Sequence, residues 1–129
     1  EGVREVDYIC GADIFIKKEL FNELKGFDED YFMYFEETDL FFRLKRKGYS
    51  SVILTNHHLI HLEGGSTVQK ETKWCLKKYQ MLMNSKILYY KKHKSFLALF
   101  LMKIFNTLFT TIHPIYKGNR LNIYKTIWQ

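Results

Sequence analysis

Charge divides this chain into two unlike parts. Residues 1–69 carry 8 Lys+Arg against 13 Asp+Glu, a net of −5, whereas residues 70–129 carry 12 against 1, a net of +11, summing to the chain's +6. An acidic body followed by a basic, aromatic-rich segment suggests a globular part held against an anionic surface, either lipid or nucleic acid. With 47% hydrophobic residues and a single proline, Pro114, the chain is not a disordered tail. At 129 residues it holds one ordinary domain, or a small domain with an appendage. Cys10 and Cys75 form neither a C-x-x-C nor a disulfide framework, which fits a reducing compartment. The opening EGVREVDYICGAD lacks an initiator Met and a leader, and reads as a chain cut from something longer.

Local patterns predict the elements. Val6 to Ile9 is a β-prone run stopped by Gly11, and Phe15 to Leu24 spaces apolar residues at helical intervals up to Gly26. Glu36 opens a second helix with Glu37 and Asp39 in its first turn, Arg43, Lys45, Arg46 and Lys47 in its last, and Gly48 at C′. Ser51 to Leu54 reads as a strand and Leu59 to Leu62 as another, before Gly64, Gly65 and Ser66 break the chain. A helix is expected from Lys70 to His93, with Trp74, Leu82, Ile87 and Tyr90 among its apolar positions. The next, Phe96 to Ile112, puts Leu97, Phe100, Leu101, Ile104, Leu108 and Ile112 on one face and Lys103, Asn106, Thr107 and Thr110 on the other. Its 17 residues reach about 26 Å against a hydrocarbon core of about 30 Å, which favours a helix lying in the interface over one that spans.

Three groups of residues carry possible chemistry. A carboxylate among Glu36, Glu37 and Asp39 could act as a general base at a helix N-terminus, although the same acids also favour a helix start with no chemistry attached. Just upstream, Asp28, Glu29 and Asp30 stand amid Phe27, Tyr31, Phe32, Tyr34 and Phe35, a density of acids and rings suited to a polyhydroxylated substrate. His57, His58 and His61 with Glu63 have the chemistry of Mn²⁺ or Zn²⁺ ligands, but not the H-E-x-x-H spacing of zinc hydrolases. Lastly, Lys70 to Lys94 holds eight lysines among tyrosines and tryptophan. It lacks the signature of a nucleic-acid module, and a lysine-rich helix running into an amphipathic one fits an anionic membrane surface better, with no nucleic-acid partner.

Taken in order, VDYICGADIFIKKELFNELKGFDEDYFMYFEETDLFFRLKRKGYSSVILTNHHLIHLEGGST resembles the C-terminal half of the catalytic domain of family 2 glycosyltransferases of the GT-A fold, most closely the rhamnosyltransferase-like branch. The elements that carry it are Val6-Asp7, Gly11-Ala12, Gly26-Phe27-Asp28-Glu29, Phe32-x-Tyr34-x-Glu36-Glu37-x-Asp39-Leu40, Arg43, Gly48, and His61 with Gly65-Ser66. The resemblance implies an inverting transfer of a sugar from a nucleotide-sugar donor to a glycan or lipid-linked acceptor, with a carboxylate of the Glu-Asp pair taking the acceptor proton. Glu37 stands at the position of the base, where the family usually carries Asp, and Glu36 or Asp39 could share the role. It further implies that Asp39 helps orient acceptor or base, that Gly11 and Ala12 lie near the donor sugar, and that His61 supplies a ligand to a divalent cation, Mg²⁺ or Mn²⁺, bound by the diphosphate. Asp28, Glu29, Tyr34 and Arg43 are the other candidate substrate-binding positions.

The family's donor-binding half lies N-terminal to this region, and no D-x-D followed by the expected fold occurs in these 129 residues. The expected fold is therefore α/β: residues 1–69 as the acceptor-side and catalytic-base half of a GT-A domain, and residues 70–129 as a basic and amphipathic helical tail. Such a chain should have little or no transferase activity alone. Its expected place is cytoplasmic, peripheral to the inner face of the cell membrane, in cell-surface polysaccharide synthesis. The rival readings are a non-catalytic, membrane-associated binding module or subunit, and a metal-dependent hydrolase using His57, His61 and Glu63.

Overall fold

The structure is a computed structural model and describes residues 2–9, 11, 13–60 and 75–129. It is mostly helical with one small sheet, compatible with part of an α/β domain. The chain forms two compact units: described residues up to Asp30 and from 36 to 60 in the first, and Tyr31–Phe35 with 75–129 in the second.

In the first unit, β1 (Val3–Val6) pairs antiparallel with β2 (Ser51–Leu54), Val3 opposite Leu54 and Val6 opposite Ser51. The expected strand at Val6 to Ile9 thus lies three residues earlier. Pairing with a four-residue partner selects the strand, whereas Ile9 packs against the helical core instead. Leu59 and Ile60 are not in a strand, and the rest of that expected element lies outside the described residues.

Helix α1 (Lys18–Glu23) is shorter than the apolar spacing predicts. Residues 14–17 are not helical; Ile14 and Ile16 pack on the core while Phe15 between them is almost fully exposed, a two-residue alternation that a helical count absorbs. The helix closes with a Schellman arrangement: Lys25 N–H donates to Asn22 O and Gly26 N–H to Phe21 O, with Lys25 at φ 61°. Helix α2 (Glu36–Arg46) has the expected polarity and closes the same way, Gly48 at φ 86° and Tyr49 N–H donating to Leu44 O. Leu24, Leu40, Phe41 and Leu44 form the buried core between these helices.

The second unit is built from α3 (Leu76–His93), α4 (Phe96–Ile112), a 3₁₀ turn at Pro114–Tyr116 and α5 (Arg120–Ile127). α3 begins at Leu76 because Cys75 is extended; the part expected from Lys70 to Trp74 lies outside the described residues. α4 has the expected bounds: Ser95 Oγ caps it by accepting Ala98 N–H at 3.2 Å, and Pro114 follows its end. The turn and α5 were not expected from the sequence. Met83 and Ile87 of α3, Met102 of α4, and Ile123 and Ile127 of α5 form the core.

The other side of α3 carries Tyr31–Phe35. Ser85 Oγ donates to Met33 O at 2.7 Å, Tyr89 meets the Phe35 ring at 5.5 Å, and Lys92 lies 5.4 Å over the Tyr31 ring. Tyr34 and Phe35 both sit in the left-handed region, at φ 67° and 68°. For side chains of this bulk that costs about 1–3 kcal/mol each, which the contacts with α3 must offset.

Candidate active site

Helix α2 determines where the candidate acids lie. Glu36, Glu37 and Asp39 share its first turn, where the unpaired amides and the helix dipole favour negative charge, yet the three meet different surroundings. Glu37 is half-buried, and its Oε1 accepts the backbone N–H of Gly11 at 3.1 Å across 26 residues of sequence. A Cβ placed on Gly11 would fall 2.9 Å from Glu37 Cγ and nearer still to Oε1, so a larger residue there would displace the Glu37 side chain from this position. The amide fixes one carboxylate oxygen, and among the described residues no group bonds the other.

Glu36 is set up differently. Its Oε2 is shielded from solvent and has no hydrogen-bond partner among the described residues. Burial raises the carboxyl above the usual glutamate range, its own backbone N–H opposes this, and the Glu37 charge beside it adds to the rise. Two adjacent carboxyls in unlike environments are a common basis for separate acid and base behaviour.

Asp39 has no exposed surface. Its Oδ2 accepts Arg43 Nε–H at 2.7 Å, and the same guanidinium donates to Leu24 O at 2.6 Å and Gly26 O at 2.8 Å. The pair thereby ties α2 to the closing turn of α1, taking up carbonyls that the helix end leaves without partners. In this arrangement Asp39 and Arg43 position the first turn of α2 from beneath. Asp28 Oδ1 accepts Asp30 N–H at 3.1 Å in an Asx turn, and Glu29 is exposed beside it.

The structure therefore joins Gly11 to Glu37 and Asp39 to Arg43. It assigns Tyr34 to the other unit. Ala12 and His61 lie outside the described residues, as does Glu63, while His57 and His58 are exposed. Among the described residues no three His, Cys, Asp or Glu side chains converge to hold a metal ion. The Gly11–Glu37 contact and the clasp of Ser85 on Met33 carried no signal in sequence reasoning. The Asp39–Arg43 pair did, since i,i+4 spacing on a helix brings opposite charges together.

Over 64 residues, half of this chain, the sequence is 36% identical to a protein named N-acetylglucosaminyl-diphospho-decaprenol L-rhamnosyltransferase from Mycobacterium tuberculosis strain CDC 1551 / Oshkosh, and equally to its counterpart in strain ATCC 25618 / H37Rv. The matched segment amounts to 21% of the length of each relative. No family model matches the chain, and no solved structure matches it. The likeness supports a glycosyltransferase relationship.

Proposed function

We propose that this chain is part of an inverting glycosyltransferase of the GT-A fold, family 2, moving a sugar from a nucleotide-sugar donor to a glycan or lipid-linked acceptor, with Glu37 as the general base. The observation that carries this reading is the Glu37 carboxylate, held by the Gly11 amide at the start of α2, within a chain half of which aligns with rhamnosyltransferases. The acceptor hydroxyl gives its proton to the free carboxylate oxygen as its own oxygen bonds the anomeric carbon. The bond from that carbon to the diphosphate breaks on the opposite face, and the nucleoside diphosphate leaves with the electron pair. The sheet supports a partial domain: β1 and β2 make a two-stranded ribbon with Val3, Val52 and Leu54 exposed, and such a ribbon is marginal without further strands.

A divalent cation neutralising the diphosphate, with His61 among its ligands, belongs to the proposal, as does a position peripheral to the inner membrane face. The test is transfer of labelled sugar by a longer polypeptide that adds a nucleotide-binding half, offered a panel of nucleoside-diphosphate sugars including rhamnose and a polyprenyl-diphosphate-linked acceptor. Transfer that stops on chelation and returns with Mg²⁺ or Mn²⁺ is expected, and none from the 129 residues alone. Turnover by the isolated chain, or no turnover by the longer one with any donor, would contradict the proposal.

A further inference from the structure

Helix α4 turns its apolar side away from its own unit. Its polar side is the one facing its own unit: Thr110 is fully buried, and Lys103, Asn106 and Thr107 are half-buried. The polar groups of Lys103, Asn106 and Thr107 are satisfied there. Asn106 Nδ2 donates to Met102 O at 2.6 Å, Thr107 Oγ1 donates to Lys103 O at 2.9 Å while accepting Trp128 Nε1–H at 2.9 Å, and Lys103 Nζ donates to Gln129 O at 3.1 Å. The apolar side looks outward. Leu101 is 55% exposed, Phe105 67%, Leu108 57% and Ile112 79%. At 100° per residue, Leu97, Leu101, Leu108 and Ile112 fall within one narrow sector, so they form a continuous ridge along the helix.

Charge indicates what covers the ridge. Residues 75–129 contain ten Lys+Arg and no Asp or Glu. Lys94 stands two residues before Phe96 and Lys117 two after Ile115, so a cation flanks each end of the apolar stretch. A second copy docking on the ridge would bring two such basic surfaces together, whereas anionic lipid headgroups around a hydrocarbon interior complement both the lysines and the ridge. Among the described residues no helix is long and apolar enough to cross a membrane.

We infer that the outward ridge of α4, centred on Leu101 and Leu108, is a membrane-docking surface that lies in the interfacial zone of a bilayer carrying anionic headgroups. This rests on the peripheral-membrane part of the reading above and names the surface responsible. Sinking the ridge to the level of the acyl chains removes its leucines and phenylalanines from water while the flanking lysines remain among the headgroups.

Co-sedimentation of the chain with phosphatidylcholine vesicles, with and without a third phosphatidylglycerol, at low and high salt tests this. Binding is expected to favour the anionic vesicles at low salt. The double variant Leu101→Asp/Leu108→Asp should bind about a hundredfold less, at about tenfold per leucine withheld from the bilayer, with its helical circular dichroism unchanged because both side chains are exposed. Equal binding by the double variant would overturn the inference. So would a chain that ignores vesicles, whether it sediments as a dimer that the double variant splits, making a second copy the occupant, or as a monomer, leaving the ridge to another protein surface. In the longer polypeptide, transfer to a water-soluble acceptor should survive Leu101→Asp/Leu108→Asp and be lost with Glu37→Gln, so failure of the docking surface and failure of the transfer chemistry are told apart.

Discussion

Arg43→Ala should loosen the first unit more than any exposed substitution. The side chain of Asp39 is fully buried and that of Arg43 is 24% exposed, so their ion pair is shielded from water on one side and nearly so on the other. Removing one partner of a buried pair costs about 3–5 kcal/mol, and the partial exposure of Arg43 places the loss near the lower end, about 3 kcal/mol. Leu24 O and Gly26 O lose their guanidinium donors as well, but both can regain water. A loss of about 3 kcal/mol is a large share of the 5–15 kcal/mol typical of a folded domain. Arg43→Lys retains the charge without the three-way fork and should lose about half as much. The assay is amide hydrogen exchange at Leu24 and Gly26, whose N–H groups bond Leu20 O and Phe21 O. Protection at both should fall about a hundredfold in Arg43→Ala, by the conversion of about 1.4 kcal/mol per factor of ten. Protection within twofold of the parent would refute the view that this guanidinium ties the two helices together.

Glu36→Gln tests the burial of the Glu36 carboxyl. Because burial raises the Glu36 pKa, the folded chain holds that proton to higher pH than the unfolded chain, and stability drains away as pH rises from the ordinary glutamate value through the raised one. The variant should therefore be the more stable at pH 7 in denaturant titrations and show no such gain below about pH 4; an equal gain at both would contradict the assignment. Gly11→Ala, in the longer polypeptide, should push the Glu37 carboxylate aside and lower kcat by about tenfold to a hundredfold with KM little changed, whereas a fall in donor affinity alone would place Gly11 at the donor instead. Ser85→Ala removes the hydrogen bond to Met33 O, at a cost of about 1 kcal/mol, and should speed amide exchange at Tyr34 and Phe35; unchanged exchange would mean that the ring contacts alone hold the strained pair.

Helix α2 was legible because its signals agree: acids in the first turn, bases in the last and Gly48 just past its end, where φ is positive. The bounds of α4 were legible for the same kind of local reason, Ser95 before it and Pro114 after it. Which way α4 faces was not, since periodicity groups residues on a face without saying what that face meets. That Tyr31, Met33 and Phe35 meet α3, more than 50 residues away in sequence, was not legible, because no local pattern encodes such a contact. The register of β1 failed to show for a similar reason, because β-propensity marks Val6 to Ile9 while the partner Ser51–Leu54 selects Val3–Val6. At the candidate site, sequence order singled out Glu37, but not the Gly11 amide that holds it.

The proposed role of Glu37 in taking the acceptor proton is tested by measuring kcat for Glu37→Gln in the longer polypeptide, with folding checked by circular dichroism. The amide still offers an oxygen to the Gly11 N–H but has no basic lone pair to receive a proton. A fall of about 10²-fold or more in kcat, with donor and acceptor KM unchanged, is the predicted result. Turnover at the parent rate would contradict it, and would leave the acids of α2 as nothing more than the start of a helix.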